Sequence, residues 1–256
     1  MIFCFDLDGT LLNSNGVIPD DTMDLLRQIR INNNIYIVSG RHFSESKCFY
    51  EKLNLSKDDY LICSDGLYIY DVSGSCIYKF QSLCIEDLNY LKTNFATYDF
   101  FVVTNKDNFY NSKSKLNSII NRLRGHKTID TLIESYGTGI VIEKIVFDNL
   151  NCKEIDIINN YGLKTVKYRD NRVEVYHMDV SKYNAIQYLL NLSNKKNDQI
   201  IYFGDEMNDY ECFKNFPKTV YFANANPIIK EMASVVTSSN DTGVHDYLKE
   251  YIEKQR

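Results

Sequence analysis

The sequence predicts an α/β protein, a doubly wound, largely parallel Rossmann-like sheet into which a second, α+β domain is inserted. Three observations carry this. Short apolar runs alternate with helical spacings over residues 1–66 and again from Val180 to the C-terminus. The middle third mixes hairpin and helix signals without that rhythm. The first apolar run, Met1–Phe5, is too short for a helix and ends in Asp6-Leu7-Asp8-Gly9-Thr10, as a buried strand running into a turn would.

The elements follow in order. Side chains alternate along a strand, so extension through Asp8 would put both carboxylates on one face and Leu7 on the other. Asp20 or Asp21 caps a helix carrying Met23, Leu25, Leu26, Ile29 and Ile31. Ile35–Val38 is a second strand, and it runs directly into Ser39-Gly40-Arg41. A helix near 43–53 and a strand at Tyr60–Cys63 lead to Ser64-Asp65-Gly66. Leu67–Val72 and Cys76–Phe80 form a hairpin around Ser73-Gly74.

The middle third holds a helix near 84–97, a strand at Phe100–Val103 and a polar helix over Lys113–Arg124. A strand over Ile140–Phe147, a helix over 152–161 and strands at Lys164–Tyr168 and Arg172–His177 follow. This stretch reads as a separate domain, 81–178, set into a core made of 1–80 and 179–256. From Val180 the α/β rhythm returns. Ser181 caps a helix from Lys182 to about Leu192, and Gln199–Phe203 is a strand ending in Gly204-Asp205-Glu206-Met207-Asn208-Asp209. A strand at Thr219–Phe222, a helix through Ala233, a strand at Val235–Thr237 and a helix over 243–254 close the chain.

Bulk properties bound the function. The 256 residues are 44% hydrophobic and 25% charged, an ordinary globular balance, and the net charge of −5 comes with no basic run suited to nucleic acid. Seven scattered cysteines with no Cys-x-x-Cys pair read as reduced thiols, mostly in apolar surroundings, in a cytoplasmic protein. No apolar run approaches the roughly 20 residues of a membrane span, and no signal-peptide pattern opens the chain.

Parallel strands gather their ends at one sheet edge, where open α/β folds bind ligands. Asp6, Asp8, Asp205 and Asp209 would then put four carboxylates in a small space. Two unit charges about 4 Å apart repel by roughly 4 kcal/mol at an effective dielectric of 20. Such a cluster needs protonation or a cation, and hard oxygen donors without a His/Cys cluster suit Mg²⁺. A calcium loop starting at Asp6 fails on spacing, because Leu11 stands where Gly is needed and Val17 where Glu is needed. Mg²⁺ beside a strand-end carboxylate suggests phosphoryl transfer, with a hydroxyl (Ser39), backbone N–H groups and a cation (Lys182) to hold phosphoryl oxygens. Taken singly, each has a plainer reading: Asp-Gly as a turn, Ser39 as a cap, Lys182 as a solvated charge. The joint pattern, in chain order at element boundaries, is what points to chemistry.

These residues resemble the four motifs of the haloacid dehalogenase-like (HAD) phosphohydrolases, and over the whole chain they are most similar to the Cof-type branch with a large α/β cap. Asp6-x-Asp8-Gly9-Thr10 matches the first motif, Ser39-Gly40-Arg41 the second, Lys182 the third and Gly204-Asp205-x-x-Asn208-Asp209 the fourth. The resemblance implies that Asp6 is the nucleophile and that Asp8 is the acid and then the base. It implies Mg²⁺ on the Asp6 carboxylate, the Asp8 carbonyl and Asp205. Ser39, Gly40, Lys182 and Asn208 would hold the phosphoryl group, and Asp209 would orient Lys182 or a metal-bound water. The implied reaction is hydrolysis of a small phosphorylated metabolite, such as a sugar phosphate, through an aspartyl-phosphate. A phosphomutase and a non-turnover phospho-acceptor module share the same groups and are the alternatives. Tyr183, Asp65-Gly66 and Ala223-Asn224-Ala225 depart from the family pattern and bear on substrate shape. Arg41, Asp65, Tyr183, Arg169 and Arg172 are candidates to face the cleft.

Overall fold

The computed structural model describes residues 1–112, 115–137, 139–232, 234–239 and 241–255. In chain order the strands are β1 (Ile2–Phe5), β2 (Asn34–Val38), β3 (Tyr60–Cys63), β4 (Tyr68–Tyr70), β5 (Cys76–Lys79), β6 (Phe100–Thr104), β7 (Asn108–Asn111) and β8 (Lys127–Thr128). They continue as β9 (Ile142–Asp148), β10 (Leu163–Lys167), β11 (Arg172–His177), β12 (Ile200–Phe203), β13 (Thr219–Tyr221) and β14 (Val235–Val236). The helices are α1 (Asp20–Ile29), α2 (Phe43–Leu53), α3 (Ile85–Asn94), α4 (Lys115–Leu123) and α5 (Ile129–Ser135). After these come α6 (Cys152–Asn160), α7 (Lys182–Leu192), α8 (Tyr210–Asn215), α9 (Pro227–Met232) and α10 (Gly243–Gln255).

The chain divides into two compact units, one of Met1–Phe80 with Ser181–Arg256 and one of Gln81–Val180. In the first, an eight-stranded sheet runs β14-β13-β12-β1-β2-β3-β4-β5. It is parallel from β14 to β3, and the β4–β5 hairpin adds antiparallel to one edge. The pleat sorts the apolar residues of the central strands onto two faces. Phe3, Phe5, Ile35, Ile37, Leu61, Ile201 and Phe203 pack with residues of α1, α2 and α10. Ile2, Cys4, Tyr36, Val38, Ile62, Ile200 and Tyr202 pack with α7, α8 and α9. Burial on both faces explains why these strands read as continuous apolar runs.

The second unit has a six-stranded sheet, β10-β11-β9-β6-β7-β8, antiparallel except for β7–β8. Phe100, Val102, Ile145, Phe147, Val173 and Val175 form its core with apolar residues of α3, α5 and α6.

Several expectations shift. Strand β1 stops at Phe5, and Leu7–Leu11 wraps into a wide turn closed by Leu11 N–H to Asp6 O (3.2 Å) and Leu12 N–H to Leu7 O (2.9 Å). Extension does not run through Leu7, so the two aspartates do not share a strand face. Strands β7 and β8 and helix α5 are additional to the expected elements. Asn-Phe-Tyr-Asn and Lys-Thr carry no alternation, and tertiary pairing with β6 and β7 places them. Residues 113, 114 and Ala233, expected in helices, lie outside the described residues. The cysteines form no disulfide, but only Cys4, Cys63 and Cys212 are buried, whereas Cys48, Cys76 and Cys152 are exposed. No helix among the described residues is long and apolar enough to cross a membrane.

Phe5 is fully buried, with its ring 4.5 Å from that of Phe203. Phe5→Ala is expected to cost about 3–5 kcal/mol, read as a lower denaturant midpoint at unchanged slope.

Candidate active site

The ends of β1, β2, β3 and β12 meet in the first unit. Asp6 follows β1 directly and its N–H bonds to Phe203 O (3.0 Å), which sets it beside the loop that carries Asp205. Lys182 opens α7, with Ser181 capping the helix through a bond from Asn184 N–H (3.0 Å). The start of α7 lies against the turn after β3. Gly66 there has φ +104°, and a Cβ on it would stand 2.1 Å from Ser181 O, so no side chain fits. Gly9 is constrained likewise, with φ +77° and an added Cβ 2.4 Å from Asp205 Oδ2.

Lys182 is the centre of the arrangement. Its side chain is 0% exposed, and Nζ donates to Asp6 Oδ1 (2.6 Å) and Asp209 Oδ1 (2.7 Å). Burial alone would lower its proton affinity. The Asp209 and Asp6 carboxylates outweigh burial and hold the ammonium well above its ordinary value. Asp209 is saturated: Oδ1 also accepts from Tyr202 Oη (2.5 Å), and Oδ2 accepts from the N–H groups of Asp205 (2.9 Å) and Glu206 (3.1 Å). Asp205 Oδ1 accepts from Thr10 Oγ1 (3.2 Å).

Asp6, Asp205 and Asp209 each offer an oxygen within 4.8 Å of the others, all buried. Burial first, and then the neighbouring carboxylates, push Asp6 up and raise Asp205 to about 7. One ammonium serves three carboxylates, so the cluster is short of positive charge. With both Asp209 oxygens engaged, Asp6 and Asp205 are the side chains able to take a hard divalent cation, and their all-oxygen donor set suits Mg²⁺.

Asp8 is elsewhere. Its side chain is 60% exposed and ion-paired with Arg41, Nε donating to Oδ2 (2.7 Å) and Nη2 to Oδ1. The expected cluster of four carboxylates is therefore a cluster of three, because the chain turns at Leu7 and swings Asp8 outward. Ser39 is buried at the end of β2, its Oγ accepting from Arg41 N–H (3.1 Å). Gly40 lies against Asp65, whose Oδ1 would be 2.8 Å from an added Cβ and accepts from Asn208 Nδ2 (2.9 Å). Asp65 thus ties the Ser39-Gly40 loop to Asn208. Tyr183 is half-buried and packs on Phe216 (5.2 Å), toward the core.

Comparison with known proteins bears on this geometry. The sequence profile of the haloacid dehalogenase-like hydrolases matches residues 3–248. The chain belongs to this hydrolase family. A Buchnera aphidicola (subsp. Baizongia pistaciae) protein described as a candidate phosphatase is 28% identical over 99% of both chains. The 5-amino-6-(5-phospho-D-ribitylamino)uracil phosphatase of Bacillus subtilis is 20% identical over 98% of this chain and 97% of its own. A B. subtilis haloacid dehalogenase-like hydrolase structure superposes at TM-score 0.78 with 21% identity, covering 97% of this chain and 98% of that one.

Within this haloacid dehalogenase-like hydrolase, the sequence alone did not reveal Tyr202 as a partner of Asp209. A tyrosine in an apolar strand carries no signal of its own. Thr10 could have been found, since it closes the first motif and its hydroxyl reaches back to Asp205.

Two outcomes follow. Asp205 has a folded value raised above its ordinary carboxylate value, so its contribution to stability is greatest in acid and is lost as pH climbs from about 4 to about 7. Magnesium should therefore raise the melting temperature more at pH 8 than at pH 5, and Asp205→Asn should shrink that difference. Lys182→Met leaves the buried carboxylates without their ammonium, and a loss of about 3–5 kcal/mol is expected, read by chemical denaturation without metal.

Proposed function

We propose that this hydrolase is a Mg²⁺-dependent phosphatase acting on small phosphorylated metabolites in the cytoplasm, through an aspartyl-phosphate on Asp6. The observation that carries this is the buried cluster at the end of β1, where one ammonium faces three carboxylates. Such a site is completed by a divalent cation and an anionic group together. The names of relatives agree in class: one is a phosphatase of a phosphorylated ribitylamino compound, and another, with TM-score 0.74, is a subclass IIB sugar phosphatase.

In this reading Asp6, Asp205 and the Asp8 carbonyl would hold the metal, and the metal would supply positive charge against the phosphoryl oxygens. An Asp6 carboxylate oxygen forms the bond to phosphorus while the ester P–O bond breaks, and Asp8 gives its proton to the departing alcohol. Asp8 then takes a proton from water as the oxygen of that water bonds to phosphorus. The Asp6–phosphorus bond breaks and inorganic phosphate leaves. Both Asp8 oxygens accept from Arg41, so Asp8 must first leave that pair and take a proton from solvent before it can give one to the alcohol. Lys182 holds Asp6 in place and, with Ser39, the Gly40 N–H and Asn208, grips the phosphoryl oxygens. Asp209 fixes Lys182. The inserted domain, 81–178, sets substrate specificity.

The test is phosphate release from sugar phosphates, nucleotides and an aryl phosphate, with and without Mg²⁺. Metal-dependent release is expected, with Asp6→Asn reducing kcat by at least about 10³-fold. Metal-independent release, or isomerised sugar phosphate without release, would sink the proposal.

A further inference from the structure

The turn after β3 holds three consecutive residues in the left-handed region. Ser64, Asp65 and Gly66 have φ of +49°, +56° and +104°. For an aspartate that backbone is uncommon, and for a serine it is strained. Among the described residues the buried Ser64 hydroxyl has no hydrogen-bond partner, and the Asp65 side chain is buried beside it in sequence. A left-handed serine, an unpaired buried hydroxyl and a buried carboxylate all cost stability.

What the turn gains is contact with three loops of the site, all within the first unit. Ser64 N–H donates to Arg41 O (2.9 Å) and Asp65 N–H to Ser39 O (3.1 Å), which fixes the loop after β2. Gly66 meets the backbone of Ser181 and Lys182 at the start of α7. The Asp65 carboxylate packs on Gly40 and accepts from Asn208 Nδ2 (2.9 Å). Ser39, Gly40, Lys182 and Asn208 are the groups proposed above to grip the phosphoryl oxygens, so one turn registers all four.

Alignment alone would not need a charge at this position. Asp65 places a carboxylate among groups suited to an anion. Burial lowers the proton affinity of Lys182, and Asp65 acts with the larger contributors Asp209 and Asp6 to raise it, so its charge is felt at the ammonium. An amide nitrogen carries two N–H groups, and two acceptors on it stand about 5 Å apart. A phosphoryl oxygen gripped by Asn208 would sit about that far from Asp65, and salt screens little between buried charges.

We propose that Asp65 is a positioning residue that weakens the hold of the site on phosphate: it presents the Asn208 amide as a donor and sets a negative charge against the anion that the amide receives. Inorganic phosphate then leaves readily after hydrolysis. This role rests on the phosphatase reading, but binding tests it without turnover. The probe is inorganic phosphate, added with Mg²⁺ to the full chain and followed by the rise in melting temperature over the same protein without phosphate.

Asp65→Asn keeps the shape and an acceptor for Asn208 and removes the charge. The phosphate concentration that gives a set rise should fall about tenfold. Asp65→Gly suits the left-handed backbone and is a second neutral variant. It should also tighten phosphate, by less, because Asn208 loses its partner. Asp58→Asn removes the same net charge at an exposed position before β3 and should change nothing. A merely structural role gives the opposite sign, since loosening Asn208 would weaken phosphate binding. Unchanged or weaker binding in the neutral variants, an equal gain in Asp58→Asn, or no rise with phosphate in any of these proteins overturns the role of Asp65.

Turnover separates this outcome from the phosphatase reading. With an aryl phosphate, Asp65→Asn should lower KM and the inhibition constant of phosphate together, with kcat no higher. Turnover by the wild type without that change overturns the role of Asp65 and leaves the phosphatase reading standing. Absence of turnover, with phosphate bound more tightly by Asp65→Asn, counts against the phosphatase reading and keeps the role of Asp65.

Discussion

The candidate site depends on one buried ammonium. Lys182 reaches Asp6 and Asp209 from the first turn of α7, and nothing else among the described residues offers those carboxylates a full positive charge at such distances. Much of the local design serves that contact. Tyr202 and two backbone N–H groups saturate Asp209 so that it faces Lys182 in one orientation. Gly66 clears room for the start of α7, and Ser181 ends the loop and begins the helix. A charge buried this completely is tolerable only where its partners are fixed before it arrives. The sheet supplies that fixity, since β1 and β12 are its central neighbours.

The sheet was legible because its strands are buried on both faces. Ile35–Val38 and Gln199–Phe203 are apolar runs with a polar end, and no competing element fits them. The motif residues stand out because Asp6 and Ser39 follow directly where an apolar run stops, Asp205 one residue later, and Lys182 opens a helix. What could not be read was side-chain direction. Asp6 and Asp8 are two residues apart, yet one is buried on Lys182 and the other is held outward by Arg41. A turn whose hydrogen bonds span five residues decides this, and Gly9 permits many turns. The inserted unit was harder for a related reason. Its edge strands are short and polar, and their pairing partners rather than their composition define them.

The two units stabilise polar groups in opposite senses. In the first, three buried carboxylates surround one cation and leave negative charge in excess. In the second, one buried carboxylate gathers two cations and two phenols. Each centres on one buried charged side chain, Lys182 or Glu174, whose oppositely charged partners stand at hydrogen-bond distance. The sequence conceals the second cluster because Arg172, Glu174 and Tyr176 alternate with valines along β11 and read as ordinary half-exposed strand positions.

The close approach of Gly66 to Ser181 has an architectural consequence. The chain leaves the first unit after Phe80 and returns at Ser181, one residue before Lys182. The returning strand of chain is clamped at once by backbone from the turn after β3. The position of Lys182 is thus set by contacts within the first unit itself. The joint works as a fixed socket: the re-entering chain is seated by the first unit's own backbone before the lysine is reached.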